Sequence, residues 1–489
     1  MLAGAARCFG SSYASLAMSI PDDAYYYLLP AWNVSQVGFF TFDGTRPTFG
    51  FQPLWACLLA GIGALSSDRE SFLRAALFTT ELVHAATAGV IAAAAWRLGG
   101  RTPAVLAAGM FLSNVAFLRI STTGMEPALY GLLLALCVLL CVAPAPPAVR
   151  GLLVGLLPFA RLTPSSVAVT AVLVALAWRR PVGRAPGWVS GLAALGTLVA
   201  GLCAQRLLLG HWLPTSGAVK LAGWVEGLQA LDGPGHWRLL RAVVGYPVNH
   251  LLLGLGVPSA FGYADNALYS LPVFLVAGVA AVRSRWRVAV LPAGLLGAAL
   301  LATVSVPVLL NRRGIELYYY SWYATEAPVL VPLVLAAGVG ALRRAEVVAL
   351  SLAGALAAAV IVRAGQPLTG TDPGNVAWGA WQHAMWQGAQ RADAIVPEGE
   401  PIGAYNAGLL GYASRHPVVN LDGLANDEVI GATSVYVYMR SEGVEWIVDA
   451  MPEAGWFGPG HAHVEVVETI PFVFPGFESY CIARVVAEE

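Results

Sequence analysis

The sequence has little charge. Only 12% of its 489 residues are Asp, Glu, Lys or Arg, whereas 57% are hydrophobic. Soluble proteins carry about 25% charged residues, so this chain lacks the charge that would let most of its length face water. The net charge is -1, which excludes the strongly basic surface typical of nucleic-acid-binding proteins. The composition predicts a membrane protein without a nucleic-acid partner.

Cysteine is also scarce and scattered. The six cysteines lie mostly in apolar runs, none forms a CxxC pair, and only Cys481 lies beyond residue 365. No disulfide framework is therefore expected in the C-terminal part, and Cys137 and Cys141 are predicted to be small core residues. The sequence contains no evident cluster of metal ligands. No cofactor or metal is expected to be required, although the use of a divalent metal is left open.

Long apolar runs are what the sequence does have. A helix needs about 20 apolar residues to cross the hydrocarbon core of a bilayer. The stretch 149–178 is too long for one span and is interrupted at Arg161-Leu162-Thr163-Pro164, so it predicts two short spans that meet at a polar break. The total is about eleven spans; the others are expected near 3–20, 75–96, 103–120, 128–144, 187–208, 269–284, 288–309, 325–341 and 345–363.

Arginine placement predicts the orientation. Loops on the cytoplasmic side of membrane proteins are enriched in Lys and Arg, and every second predicted loop here contains arginine, from Arg97 and Arg101 to Arg343 and Arg344. This pattern places the N-terminus inside and keeps 51–66 and 247–262 at the outer surface. Residues 51–66 are expected to form an interfacial helix anchored by Trp55. Residues 3–20 are predicted as a first span because no clear signal cleavage site is evident.

The character of the chain changes near residue 365. The region 365–489 contains short β-prone runs, Val444–Val448 and Val464–Val467, separated by Gly and Pro. The odd span count places this region outside. The sequence thus predicts a polytopic α-helical membrane domain over 1–364 and a soluble extracytoplasmic α/β domain over 365–489.

Two adjacent carboxylates begin the first predicted outer loop. Asp22 and Asp23 follow Pro21, and repulsion between neighbouring carboxylates favours a raised pKa for one of them. Such a group can act as general base on an acceptor hydroxyl. The alternative is a helix N-cap, because Asp after Pro at the start of an aromatic run suits capping.

Two further outer acids have both structural and functional interpretations. Asp43-Gly44 is a turn signal, and its functional alternative is to orient the donor or the acceptor. Glu126 begins a predicted span, where the helix dipole favours an acid. Its alternative is to act as another acidic group facing the same outer cavity as Asp22 and Asp23.

Cations and aromatics of two later outer loops are candidates for binding phosphate and sugar. Lys220 is the only lysine in the chain, so it is either a phosphate-binding point charge or an incidental surface residue. Arg312 and Arg313 lie outside, against the positive-inside trend, and arginine suits phosphate recognition. Tyr319 and Trp322 follow them, where aromatics either contact a sugar or belong to the interfacial belt.

The outer-loop residues resemble a known superfamily. The first outer loop contains Asp22-Asp23-Ala24-Tyr25, Asn33, Gly38, Thr41-Phe42-Asp43-Gly44 and Gln52-Pro53-Leu54-Trp55. This pattern resembles the first outer loop of GT-C glycosyltransferases, multi-span enzymes that use polyprenyl-phosphate sugars, and is most similar to bacterial envelope members such as the actinobacterial arabinofuranosyltransferases. Two segments depart from the family pattern: Arg161-Leu162-Thr163 replaces an Arg-Pro-Asp-like element, and 214–220 lacks an Asn-Thr-Tyr-Tyr core. The second-loop element of this group is similar to Gly124-Met125-Glu126, and segments of its outer C-terminal domain are similar to Asn406-Ala407-Gly408, Gly411-Tyr412 and Asn420-Leu421-Asp422-Gly423-Leu424.

The resemblance implies an inverting transfer of a sugar to an envelope glycan, lipid or protein on the outer face. Asp22 or Asp23 would activate the acceptor hydroxyl, and Lys220 with Arg312 or Arg313 would bind the donor phosphate. No metal is strictly needed, because the phosphate is already a good leaving group once it is paired with cations.

Two other functions stay open. Glu81 and His84 lie within one predicted span and Arg161 lies at a helix break, as ionisable groups do in transporters, so a lipid-linked sugar transporter or flippase is one alternative. The other alternative is a non-catalytic assembly or sugar-binding protein with the same fold.

Overall fold

A computed structural model describes residues 2–179, 186–212, 214, 290–311, 325–340, 373–425, 428–452, 463–472 and 477–486. The chain divides into two compact units. The helical unit comprises Thr79–Ala204 and Trp224–Pro367 together with Met1, and the sheet-bearing unit comprises Leu2–Phe78, Gln205–Gly223 and Leu368–Glu489. The domain boundary predicted between 364 and 365 stays a prediction.

Helices account for most of the described residues. In chain order they are α1 (Leu2–Gly10), α2 (Tyr13–Met18), α3 (Asp22–Val37), α4 (Pro53–Ala64), α5 (Arg69–Gly99), α6 (Arg101–Leu112), α7 (Val115–Ser121), α8 (Pro127–Val142), α9 (Pro147–Ala160), α10 (Pro164–Arg179), α11 (Gly187–Leu209), α12 (Val290–Asn311), α13 (Glu326–Gly340), α14 (Pro373–Ile395), α15 (Gly408–Ala413), α16 (Glu428–Gly431) and α17 (Val435–Ser441). The strands are β1 (Ile402–Ala404), β2 (Val418–Asn420), β3 (Trp446–Pro452), β4 (His463–Ile470) and β5 (Phe477–Val486).

Two helices in the described part of the chain are long and apolar enough to cross a membrane, namely α5 and Gly187–Leu208 of α11. Both coincide with predicted spans. The predicted spans 128–144, 288–309 and 325–341 coincide with helices α8, α12 and α13. The predicted segments 247–262, 269–284 and 345–363 lie outside the described residues, so the eleven-span topology stays a prediction.

The predicted break near Arg161 is confirmed, because α9 ends at Ala160 and α10 begins at Pro164. Proline lacks the amide hydrogen that a helix interior uses but is well suited to a first helical turn. Leu162 and Thr163 therefore lie in a short connection, which places the side chain of Arg161 at a helix end.

Two predicted spans are wrong as continuous helices. Residues 3–20 form α1 and α2, and 103–120 lies on α6 and α7. At the first break the Ser12 side chain accepts a hydrogen bond from the Ser15 amide, and at the second Asn114 accepts one from the Phe117 amide. Short polar side chains that bond the backbone in this way start a new helix, and an average of hydropathy over a window misses them.

Small residues allow α9 and α11 to approach closely in the helical unit. A Cβ atom on Gly151 would lie 2.3 Å from the Ser190 carbonyl oxygen, and one on Gly155 would lie 2.6 Å from that of Ala194. Glycines four residues apart on one helix face are typical of helix pairs in membranes, where van der Waals packing rather than water exclusion drives association.

A five-stranded mixed sheet forms the centre of the C-terminal region, with strand order β2-β1-β3-β5-β4. Strand β1 is parallel to β2 and β3, whereas β5 is antiparallel to β3 and β4. The predicted β-prone runs overlap β3 and β4. The α/β character of this region is confirmed, and its location outside the membrane stays a prediction.

The two faces of the sheet pack against different helices, as the alternation of side chains along a strand requires. Ile447 and Ala483 face a core that includes Met439 of α17. Tyr480 faces α14, where its ring lies 2.6 Å from the position that a Cβ on Gly388 would occupy.

The predicted first outer loop packs within the sheet-bearing unit. Trp55 at the start of α4 is 0% exposed and belongs to the hydrophobic core. The prediction that it anchors an interfacial helix is therefore wrong. Gly50 also approaches other backbone closely, since a Cβ at this position would lie 1.8 Å from the Leu424 carbonyl oxygen.

Replacing Gly50 by alanine is expected to lower the free energy of unfolding by about 1–3 kcal/mol, because the methyl group has no space against the rigid Leu424 backbone. The measurement is the thermal unfolding midpoint of purified protein in detergent. Gly61→Ala is the matched control. Its added methyl group meets nothing within 4 Å, and alanine favours a helix interior by about 0.5–1 kcal/mol. Equal midpoints for the two variants would contradict the close approach.

Candidate functional site

The two adjacent aspartates lie in the first turn of α3. Pro21 is the N-cap residue and makes no side-chain capping bond, so the prediction that Asp22 caps its own helix is wrong. The Asp22 carboxylate instead accepts hydrogen bonds from the amides of Gly408 (3.3 Å) and Leu409 (2.6 Å) at the start of α15. Asp22 is only 7% exposed. It therefore links two parts of the chain that are far apart in sequence.

The residues Tyr405–Leu409, here termed the amide segment, have every backbone N–H bonded to a side chain. Besides the two bonds to Asp22, Asp449 accepts from the amides of Tyr405 (2.6 Å) and Asn406 (2.8 Å). The Tyr26 hydroxyl oxygen accepts from the amide of Ala407 (3.2 Å). Three buried side chains thus satisfy five consecutive donors.

Burial raises the pKa of both carboxyl groups that hold the amide segment. The pKa of Asp22 rises from 3.8 to about 7, with burial as the largest cause and the charges of Asp23 and Asp449 as smaller ones; the amides of Leu409 and Gly408 act in the opposite direction. Burial likewise raises the pKa of Asp449 to about 6, against the amides that donate to it. The predicted raised pKa thus falls on Asp22 in the adjacent pair.

Asp23 differs from Asp22 in exposure. It follows Asp22 in the same helical turn but is only partly buried. A general base must come within hydrogen-bond reach of the hydroxyl it activates. Of the two carboxylates, Asp23 is therefore the more accessible to an acceptor.

Asp43 is buried within its own turn. Its Oδ1 atom accepts from the Thr45 and Arg46 amides at 2.8 and 2.9 Å and from the Thr41 hydroxyl at 3.1 Å. Arg46 continues the network to Glu442. These contacts agree with the turn signal in the sequence, and a role for Asp43 in orienting substrate stays a prediction.

Glu126 forms a buried ion pair in the helical unit. Its carboxylate lies 2.9 Å from Arg161 Nη1, and the side chains of the two residues are 5% and 1% exposed. Glu126 is the N-cap residue of α8 but makes no side-chain capping bond. The alternative that Glu126 faces an outer cavity together with Asp22 and Asp23, as a substrate-binding acid, stays a prediction.

A second buried acid in this unit was not among the predicted site residues. The Glu326 carboxylate accepts from the hydroxyls of Tyr130 and Ser165, each at 3.0 Å. Glu326 is the first residue of α13. Its two donors lie in the first turns of α8, which begins at Pro127, and α10, which begins at Pro164. The positive ends of these helices favour nearby carboxylates. The sequence signal was a lone acid at the start of an apolar run.

The remaining predicted site residues, Lys220, Arg312, Arg313, Tyr319 and Trp322, lie outside the described residues. Within the described ranges, no three or more His, Cys, Asp or Glu side chains are grouped as metal ligands. Asp449 and Tyr26 hold the amide segment yet were not predicted, because neither carries a motif that distinguishes it in the sequence.

Comparisons with known proteins bear on the fold. A family model described as "Domain of unknown function (DUF8728)" matches residues 375–483, which is a minority of the chain. No curated protein matches.

Solved structures match over almost the whole chain. ArnT from Cupriavidus metallidurans bound to undecaprenyl phosphate is 13% identical with a TM-score of 0.56, over 97% of this chain and 95% of that one. The same protein in the apo state is 14% identical with a TM-score of 0.50, over 94% and 92%. The apo oligosaccharyltransferase of Archaeoglobus fulgidus is 15% identical, over 88% and 66%, and its TM-score of 0.40 is too low to support an inference.

The chain therefore has a GT-C-like fold, which it shares with ArnT. This confirms the predicted resemblance at the level of the fold. Identities of 13–14% do not transfer an activity, since one fold hosts many functions.

The buried Asp22 carboxyl predicts a specific dependence of stability on pH. A carboxyl whose pKa is higher in the folded than in the unfolded chain binds its proton more tightly when folded. The free energy of unfolding therefore falls as the pH rises from about 4 to about 7. Asp22→Asn removes this contribution while Asp449 still titrates in both proteins. Between pH 5 and pH 8 the thermal midpoint of Asp22→Asn is expected to rise relative to wild type by about 2–4 °C. A constant difference would show that Asp22 does not titrate in this range.

Removing one partner of the Glu126–Arg161 pair should be costly. Arg161→Met leaves the Glu126 carboxylate buried without its cation, and we expect the free energy of unfolding to fall by about 3–5 kcal/mol. Thermal unfolding in detergent measures the change.

The double variant Arg161→Met with Glu126→Gln removes both charges and is expected to recover most of the loss. Arg97→Met, at an exposed position in the last turn of α5, loses the same charge and should stay close to wild type. A double variant as unstable as Arg161→Met would argue that the arginine stabilises through packing and not through the ion pair.

Proposed function

We propose that this protein is a membrane glycosyltransferase that moves a sugar from a polyprenyl-phosphate donor to a glycan, lipid or protein acceptor on the outer face. The observation that carries the proposal is the first turn of α3. It presents a partly buried Asp23 beside an Asp22 held by two backbone amides, in a chain with a GT-C-like fold. The ArnT structure with undecaprenyl phosphate supports a polyprenyl-phosphate donor.

The proposed reaction is a direct displacement at the anomeric carbon. The acceptor hydroxyl oxygen attacks this carbon, its proton passes to an aspartate, and the bond between the anomeric carbon and the phosphate oxygen breaks. Polyprenyl phosphate leaves with the bonding electron pair. Attack opposite to the leaving group inverts the anomeric configuration.

Asp23 is the better candidate for the base and Asp22 is the alternative. The base must reach the acceptor hydroxyl, and Asp23 is the more exposed of the two. Asp22 is nearly buried, and each of its oxygens accepts a backbone amide. Its raised pKa would suit a base near neutral pH, so a variant at each position is needed to decide.

Charge pairing is proposed to stabilise the departing phosphate. Lys220 with Arg312 or Arg313 would bind the donor phosphate, because cations stabilise charge that develops on a leaving group. Tyr319 and Trp322 would contact the sugar, and Asp43 and Glu126 are proposed as further substrate-binding residues. Paired cations remove the strict need for a metal, and a divalent ion stays an option.

The topology belongs to the same proposal. The membrane domain would comprise residues 1–364 with about eleven spans, and residues 365–489 would lie on the extracytoplasmic side. The arginine-bearing inner loops support this orientation. The arabinofuranosyltransferase-like first loop supports a role in assembly of a bacterial cell envelope.

A transfer assay tests the function. Wild type, Asp22→Asn and Asp23→Asn in nanodiscs are each given a panel of polyprenyl-phosphate sugars with glycan and lipid acceptors. We expect wild type to transfer one donor class and Asp23→Asn to lose about 10²- to 10⁴-fold in rate, the usual contribution of a general base. Glu398→Gln, at an exposed position, is the matched control and should keep the wild-type rate.

The outcome also separates the alternatives. A loss confined to Asp22→Asn would assign the base to Asp22. No transfer by folded wild type with any donor, together with movement of lipid-linked sugar between leaflets, would favour the transporter. Neither activity would favour the non-catalytic assembly protein.

A further inference from the structure

We infer that Asp449 is a positioning residue for the reaction: with Tyr26 and Asp22 it fixes the amide segment, and through it the turn that carries Asp23. The inference rests on the proposed function. None of the sequence motifs pointed to Asp449, which is far from Asp22 in the sequence.

Asp449 is anchored in the sheet. It lies on β3, which pairs with β1 on one side and β5 on the other, and it is 1% exposed. Its Oδ2 atom accepts hydrogen bonds from the amides of Tyr405 and Asn406. Its Oδ1 atom accepts one from the Ala450 amide at 2.6 Å. A carboxylate with this many donors is fixed in one orientation.

Tyr26 continues the contact toward α3. Its hydroxyl accepts from the Ala407 amide and from Asn420 Nδ2, both at 3.2 Å, and its ring stacks on Phe42 with centroids 5.3 Å apart. Tyr26 lies one helical turn after Asp22 and Asp23, so a bond at Tyr26 constrains the same end of α3.

Asp22 provides a further contact between α3 and the amide segment, and its position explains why residue 408 is a glycine. The main chain of Gly408 lies so close to α3 that a Cβ atom would be 2.4 Å from the Asp22 carbonyl oxygen. Leu409 then donates to the Asp22 side chain at 2.6 Å. The amide segment and the first turn of α3 therefore touch through both backbone and side chains.

The consequence is a shared position for the segment and the turn. Moving the turn would break bonds to buried amides, and a buried donor left without an acceptor destabilises the folded chain. Asp23 follows directly after Asp22, so the position of its carboxylate depends on these bonds. A misplacement of about 1 Å in a reacting group can cost on the order of 10²-fold in rate.

The test compares Asp449→Asn and Tyr26→Phe with wild type in nanodiscs, using hydrogen exchange of the peptide that contains residues 405–409 together with transfer kinetics. We expect faster exchange in this peptide for both variants. We expect kcat to fall about 10- to 100-fold with the KM for the donor nearly unchanged, because substrate binding is left intact while the reacting group is displaced. Asp393→Asn is the control: it contacts Ser414 and Arg415 in the same region and should leave both readouts at wild-type values.

The outcomes are separable. Wild-type kcat in Asp449→Asn and Tyr26→Phe, with faster exchange, would overturn the positioning role and leave the glycosyltransferase proposal standing. Unchanged exchange in both variants would overturn the contact itself. If wild type transfers no sugar, the proposed function fails, and the exchange data still decide whether Asp449 fixes the segment. If Asp449→Asn does not fold, Tyr26→Phe, which loses a single hydroxyl group, supplies both readouts.

Discussion

Five consecutive backbone amides with three side-chain acceptors form the constraint on which the sheet-bearing unit depends. Buried N–H groups must be bonded, because an orphaned donor costs much of the stability of a small domain. The chain satisfies Tyr405–Leu409 with carboxylates and a hydroxyl instead of a neighbouring strand. Because two acceptors, Asp22 and Tyr26, lie on α3, the N-terminal segment and the C-terminal sheet belong to one unit.

The helical unit contains buried charged groups, and the ion pair between Glu126 and Arg161 compensates two of them. Glu126 and Arg161 are both almost fully buried, and a lone charge in such a place would be far less stable than a paired one. Glu326 is held by hydroxyl donors. Helix starts lie at each of these acids, so the dipole contributes in the same direction. The polar break at Arg161 is thus a packed connection and not a weak point in an apolar helix.

The GT-C-like fold does not by itself identify the activity of this protein. Fold is shared by proteins with unrelated activities, and activity resides in particular side chains. In this chain the informative difference is between two identical neighbours: Asp22 is committed to backbone amides, while Asp23 is the more accessible. The proposal of Asp23 as the general base rests on this difference more than on the overall similarity to known structures.

The sequence by itself determined several of the apolar helices, the break before Pro164 and the α/β character of the C-terminal region. These features depend on local periodicity, helix-breaking residues and composition. Only the tertiary structure decided that Asp22 accepts hydrogen bonds from amides 386 and 387 residues away. It also decided that Asp449 accepts from other amides of the same segment and that Trp55 is a core residue. Hydropathy and spacing describe neighbours along the chain, and these contacts join residues whose separation in sequence carries no signal.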